Sequence, residues 1–158
     1  MRVRVREIMS SPAVSVPSTA TVREAAATMV AHRINSVVVV DPGGSPPVLG
    51  LLTEEEVELA ETVVPFAVPS VRAVRLMDLW AQDAEQLDEA LREIAGRSVA
   101  DVMRSPVETV EPDVEVYAAM SRMARLGITR MPVVEDGGLI GLVARHDIMK
   151  IIAGRAGP

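Results

Sequence analysis

The sequence predicts an α/β protein of the α+β kind, built from two copies of one helix–strand–strand–helix unit with a helical insert between them. Three observations carry this. The chain repeats itself: Met9, Pro12, Ala25, Met29 and Ile34 recur as Met103, Pro106, Ala119, Met123 and Ile128, each pair 94 positions apart, and self-similarity at a fixed period marks a repeated structural unit. The offset then falls to 91, with Gly50, Leu51 and Glu56 answering to Gly141, Leu142 and Asp147. The change is absorbed at one turn, longer in the first copy (41–47) than in the second (135–138), and exposed turns accept insertions. Finally, each copy places a stretch of helical apolar spacing before two short apolar runs separated by glycine.

In order along the chain, Val3–Met9 reads as a short helical turn before Pro12, and Ala13–Pro17 as extended. Thr21 and Glu24 form a capping box, hydroxyl to backbone N–H and carboxylate back to the cap. Val22, Ala25, Ala26, Met29 and Val30 give the following helix one apolar face. Val37–Val40 is apolar at every position, the pattern of a strand covered on both sides. Val48–Thr53 returns, and Thr53 with Glu56 forms a second capping box. The insert continues that helix to Thr62, breaks at Pro65 and Pro69, and holds another helix over Val74–Ala95. Its Leu76, Trp80, Ala84, Leu87, Leu91 and Ile94 share a face, its acidic side faces solvent, and Gly96 ends it.

In the second copy Val107–Val110 is extended, Asp113 is the expected N-cap, and Val116, Ala119, Met120 and Met123 face the core. Gly127 sits where a helix end needs positive φ. Arg33 holds that place in the first copy, so the first helix is expected to end differently. Met131–Val134 and Leu139–Val143 are strands joined at Asp136-Gly137-Gly138, a hairpin signal, and Asp147 falls in the first turn of the last helix. The division is 1–57, 58–98 and 99–158.

Bulk properties exclude several classes. A repeat of about 55 residues is marginal alone, because a domain near ~60 residues buries only about 60% of its unfolded surface; the halves should share a core. With one Trp, one Tyr and one Phe, that core is aliphatic. The absence of Cys excludes disulfides, thiolate metal sites and Cys nucleophiles. The charged start Met1-Arg-Val-Arg lacks a signal-peptide core, and no apolar run nears the ~20 residues of a membrane span, so a cytoplasmic location is expected. A net charge of −6 with almost no aromatics argues against nucleic acid. No glycine-rich phosphate loop or nucleophile–His pairing points to an enzyme, and His32 and His146 lack partners at metal-ligand spacing.

The doubled unit, each copy with a Val-rich strand before the turn and a Gly-to-acid segment after it (Gly50–Glu56, Gly141–Asp147), resembles a CBS domain pair, or Bateman module. The openings Val5–Met9 and Val99–Met103 resemble that family's lead-ins. The resemblance implies two βαββα units about a pseudo-two-fold axis with two clefts between them. It implies a regulatory, non-enzymatic module, frequently a homodimer, that needs no cofactor and binds an adenosine-containing ligand (AMP, ADP, ATP or S-adenosylmethionine). No effector domain is recognisable, so action on an effector protein in trans is expected. Carried over by position, one cleft joins Asp147, as ribose ligand, to Asn35 and Ser36. The other joins Thr53 and Glu56 to Ile128, Thr129 and Arg130; Arg130 and Arg145 are the phosphate candidates.

Both clefts depart from the family pattern. Ala144 stands where a Ser or Thr is usual, and Glu56 where Asp is usual. Capping explains Thr53 and Glu56 without a ligand. Ala144 offers no hydroxyl, which leaves Asp147 without a capping-box partner and with only the helix dipole as an alternative role. A structural or dimerisation module with decayed clefts is therefore the alternative function.

Overall fold

The computed structural model describes residues 2–43, 48–61 and 84–154. The elements are α1 (Val5–Ile8), β1 (Ser15–Pro17), α2 (Val22–His32), β2 (Ser36–Val40), β3 (Val48–Thr53), α3 (Glu54–Glu61), α4 (Ala84–Gly96), α5 (Val99–Val102), α6 (Val116–Leu126), β4 (Arg130–Glu135) and β5 (Gly138–Ala144). A 3-10 turn, Arg145–Asp147, leads into α7 (Ile148–Ile152). Strand β2 runs parallel to β1 and antiparallel to β3, and β4 pairs antiparallel with β5. Val110 bridges Val133 in parallel, repeating the pairing of Val16 with Val39 at the offset read from the sequence. The duplication thus holds down to strand register, and the fold is two β-α-β-β-α units. Among the described residues no helix is long and apolar enough to cross a membrane.

Local chemistry sets the helix ends. Thr21 caps α2: its N–H reaches Glu24 Oε2 at 2.7 Å and its hydroxyl accepts from Glu24 N at 3.2 Å. The buried face of α2 is Val22, Ala25 and Met29. Ala26 is exposed and Val30 is 79% exposed, so the stripe is narrower than the spacing predicts. The two long helices finish alike, contrary to expectation. Arg33 itself takes the left-handed conformation, φ 54°, as Gly127 does at φ 67°. In both, the next residue closes the turn, Ile34 N to Met29 O and Ile128 N to Met123 O, each 3.0 Å. The pattern needs that conformation whatever the side chain, at a cost of about 1–2 kcal/mol for a residue with a Cβ. The hairpin turn likewise uses positive φ at Asp136 and Gly137.

The N-cap of α6 is Glu115, not Asp113, and it makes no side-chain cap. Asp113 lies two residues earlier, where it accepts from Arg6 Nε at 2.8 Å and pairs with Arg4 at 3.2 Å. The guanidiniums of Arg6 in α1 and of Arg4 just before it hold the Asp113 carboxylate away from the helix end.

The core forms two aliphatic clusters. One gathers Val16, Val22, Ala25, Met29, Val37, Val39 and Leu52 with Ile94, Val99 and Val102. The other gathers Val110, Val116, Ala119, Met123, Met131, Val133 and Val143 with Val5 and Ile8. The lead-ins are exchanged: α1 completes the second copy's core and α5 the first's. Backbone bonds seat them, Val5 N to Val114 O and Val99 N to Ala20 O, each 2.9 Å. Such reciprocal exchange is what an approximate two-fold relation between the copies produces. From the insert, Ile94 enters the first core while Leu91 is 43% exposed. Leu76, Trp80, Pro65 and Pro69 lie outside the described residues.

Candidate functional site: two clefts between the copies

Two clefts open where the copies meet. The first, about 190 Å³, is lined by Thr53, Glu55, Glu56, Arg104 and Glu108 facing Ile128, Thr129 and Arg130. The second, about 580 Å³, is lined by Ser10, Ala13, Val14, Arg33, Ile34, Asn35 and Ser36 facing Ala144, His146 and Asp147. Asn35, Glu54 and Arg130 belong to both walls, and Arg130 Nη1 donates to Asn35 Oδ1 at 3.1 Å. The residue sets expected to meet do meet: Thr53 and Glu56 with Ile128, Thr129 and Arg130, and Asp147 with Asn35 and Ser36. Arg145 is the exception and lines neither cleft. The 3-10 turn after β5 sends its guanidinium to the end of α6, where it donates to Met123 O at 3.4 Å; carbonyls in the last turn of a helix attract such cations.

In the first cleft the carboxylate is satisfied from within. Glu56 is 6% exposed. Its Oε2 accepts from Thr53 N at 2.8 Å and from the Thr53 hydroxyl, and its Oε1 pairs with Arg104 Nη2 at 2.9 Å. The return half of the capping box read from the sequence is therefore present, the Thr53 hydroxyl accepting from Glu55 N at 3.1 Å instead of Glu56 N, and Arg104 adds a cation that the sequence reading did not assign.

The second cleft is built on Asp147, 1% exposed. Its Oδ2 accepts from Ala144 N at 2.7 Å. This corrects the expectation that Asp147 lacks a capping partner: the return half of the box needs only the backbone N–H at the cap, which Ala supplies as well as Ser. Lys150 Nζ stands 2.8 Å from Oδ1 and also donates to Ile8 O. That ammonium satisfies Oδ1 as an ion pair; among the described residues Arg130 Nε is buried without a hydrogen-bond partner. Lys150 was missed at the sequence level, although a lysine three residues after an acid on one helix face is a readable signal.

Residues 5–60 and 99–154 each match the CBS domain family, and the chain belongs to that family. Among curated proteins it is similar to an uncharacterized protein of Methanopyrus kandleri, 31% identical over 150 residues, covering 94% of this chain and 62% of that one. The chain thus spans less than two thirds of that relative's length. Among solved structures it resembles the CBS domain of a CBS domain containing membrane protein from Sphaerobacter thermophilus, at 30% identity and TM-score 0.73 over 94% of this chain and 87% of that one. The fold also matches CBSX2 in complex with AMP, at 21% identity and TM-score 0.66 over 96% and 97% of the two chains. Protein MJ0100, in complex with 5′-methylthioadenosine and S-adenosyl-L-methionine, shares it at 22% identity and TM-score 0.67 over 98% and 99%.

Proposed function

We propose that this chain is a regulatory module that binds an adenosine-containing ligand in the second cleft and transmits occupancy to an effector protein in trans, acting as a homodimer. The observation that carries the reading is Asp147: a buried carboxylate, bonded by Ala144 N and paired with Lys150, on the wall of a hollow made by both copies. A carboxylate in that setting suits adjacent ribose hydroxyls, as in dinucleotide sites. The volume of about 580 Å³ lies within the ~300–1,000 Å³ range of ligand pockets, and CBS pairs of this fold hold AMP or S-adenosyl-L-methionine. Exposed apolar side chains on α6 and α7, Tyr117 at 83% and Ile152 at 72%, offer surface for a second copy.

Titration calorimetry with AMP, ADP, ATP and S-adenosylmethionine tests the reading. Saturable binding to the wild type is expected, weakened about tenfold or more in Asp147→Ala, since a hydrogen bond to a charged group contributes ~1.5–3 kcal/mol. Absence of heat and of thermal shift with all four ligands refutes it. The alternative, a structural module with closed clefts, is favoured most at the first cleft, which holds about 190 Å³ and where Thr53 and Arg104 together occupy both oxygens of Glu56.

A further inference from the structure

Resting on that nucleotide reading, we propose that Arg33 is the phosphate-selecting residue of the second cleft, so that the cleft takes phosphorylated adenosine in preference to adenosine or a cationic adenosyl ligand. Arg33 occupies a left-handed helix end, φ 54°, a place where glycine is favoured and where the second copy has Gly127. The helix end imposes the conformation but not the arginine, and strained positions of this kind concentrate at ligand sites. Arg33 lines the second cleft together with Arg130. Among the described residues neither guanidinium lies within ion-pair distance of a carboxylate, whereas Arg104 in the first cleft is paired with both Glu55 and Glu56.

The balance of charge differs accordingly. The first cleft presents Glu54, Glu55, Glu56 and Glu108 against Arg104 and Arg130. The second presents Glu54 and Asp147 against Arg33 and Arg130, and Asp147 already has Lys150 as counterion. Counting Lys150, the second cleft is thereby left one charge positive, against two negative in the first. Guanidinium matches phosphate with paired N–H donors; the carboxylate of an adenosyl cation can take the same donors, but its single charge is opposed by the sulfonium and ammonium of the same ligand, whereas a phosphate monoester brings a charge of about −2 unopposed.

The test compares AMP, adenosine and S-adenosylmethionine on the wild type, Arg33→Gly and Arg33→Lys by calorimetry, with melting temperatures recorded alongside. Glycine suits the turn, so Arg33→Gly should melt at or a few degrees above the wild type. It should lose about tenfold in AMP affinity with adenosine affinity unchanged, and Arg33→Lys should recover part of the loss. AMP affinity unchanged in Arg33→Gly, AMP and adenosine weakened equally, or a clearly lower melting temperature each overturns the Arg33 assignment while leaving the cleft a nucleotide site. A wild type that binds none of the three removes the nucleotide reading itself, and the Arg33 assignment with it.

Discussion

The exchanged lead-ins rest on two glycines, and replacing either with alanine tests the arrangement. A Cβ on Gly50 falls 2.6 Å from Met103 Sδ and 2.7 Å from Arg104 O; on Gly141 it falls 2.8 Å from Met9 Sδ and 2.9 Å from Ser10 O. The thioethers are flexible and swing aside, but the carbonyls are fixed. Arg104 is bonded both ways to Leu51, at 3.1 and 2.8 Å, and Ser10 both ways to Leu142, at 2.9 and 3.0 Å. Making room stretches both bonds of a pair, at about 0.5–1.5 kcal/mol each, and adds an overpacking cost of about 1–3 kcal/mol. The sum, about 2–6 kcal/mol, is a large share of the ~5–15 kcal/mol that holds a domain folded. For a chain of this size it corresponds to a fall of roughly 4–24 °C in melting temperature. Scanning calorimetry of Gly50→Ala and Gly141→Ala reads this directly, with Gly96→Ala as control because no atom lies within 4 Å of its added Cβ. Melting within 1–2 °C of wild type for both variants would mean that the lead-ins do not seat against these strands, and the reciprocal exchange would be refuted.

Two further outcomes follow from charged pairs. Arg104→Ser, which copies Ser10 of the other cleft, strips Glu56 of its cation; urea unfolding should show a loss of about 1–3 kcal/mol, and Glu56→Gln on that background should restore part of it, the coupling being read from the double-mutant cycle. The Arg6 hydrogen bond holds Asp113 below the usual carboxylate range, and the Thr21 backbone N–H does the same for Glu24. A depressed folded value means stability fully present above the ordinary carboxylate range, near pH ~4, and lost as pH falls through the depressed values. Asp113→Asn should therefore flatten the acid limb of melting temperature against pH, and an unchanged limb counts against the Arg6 pairing.

The duplication was legible because repeated residues at one offset survive even where the side chains between them differ, and Val16–Val39 and Val110–Val133 then pair in the same register. The facing sets of the clefts were legible through the family resemblance. What escaped were features settled by distant competition. Asp113 reads as a cap locally, but Arg4 and Arg6 reach it from more than a hundred residues away. Val30 has helical spacing, but among the described residues its side chain stays 79% exposed. Arg33 looks unfit for the left-handed region, but the pattern closed by Ile34 imposes it.

The unlike clefts come from two pairs of positions that the duplication made equivalent. Where the first copy has Glu56, the second has Asp147; where one lead-in brings Arg104, the other brings Ser10. The longer acid, meeting an arginine, closes on it. The shorter acid takes its cation from Lys150 on the helix that follows. Because the lead-ins are exchanged, each cleft carries a residue from the start of the other copy, and its state depends on how that segment is seated. Lys150 makes the dependence specific, since it contacts Asp147 and the Ile8 carbonyl at once. Under the nucleotide reading, a ribose hydroxyl donating to Asp147 Oδ1 competes with Lys150 for that oxygen, which links occupancy of the cleft to the hold on α1 through a single side chain.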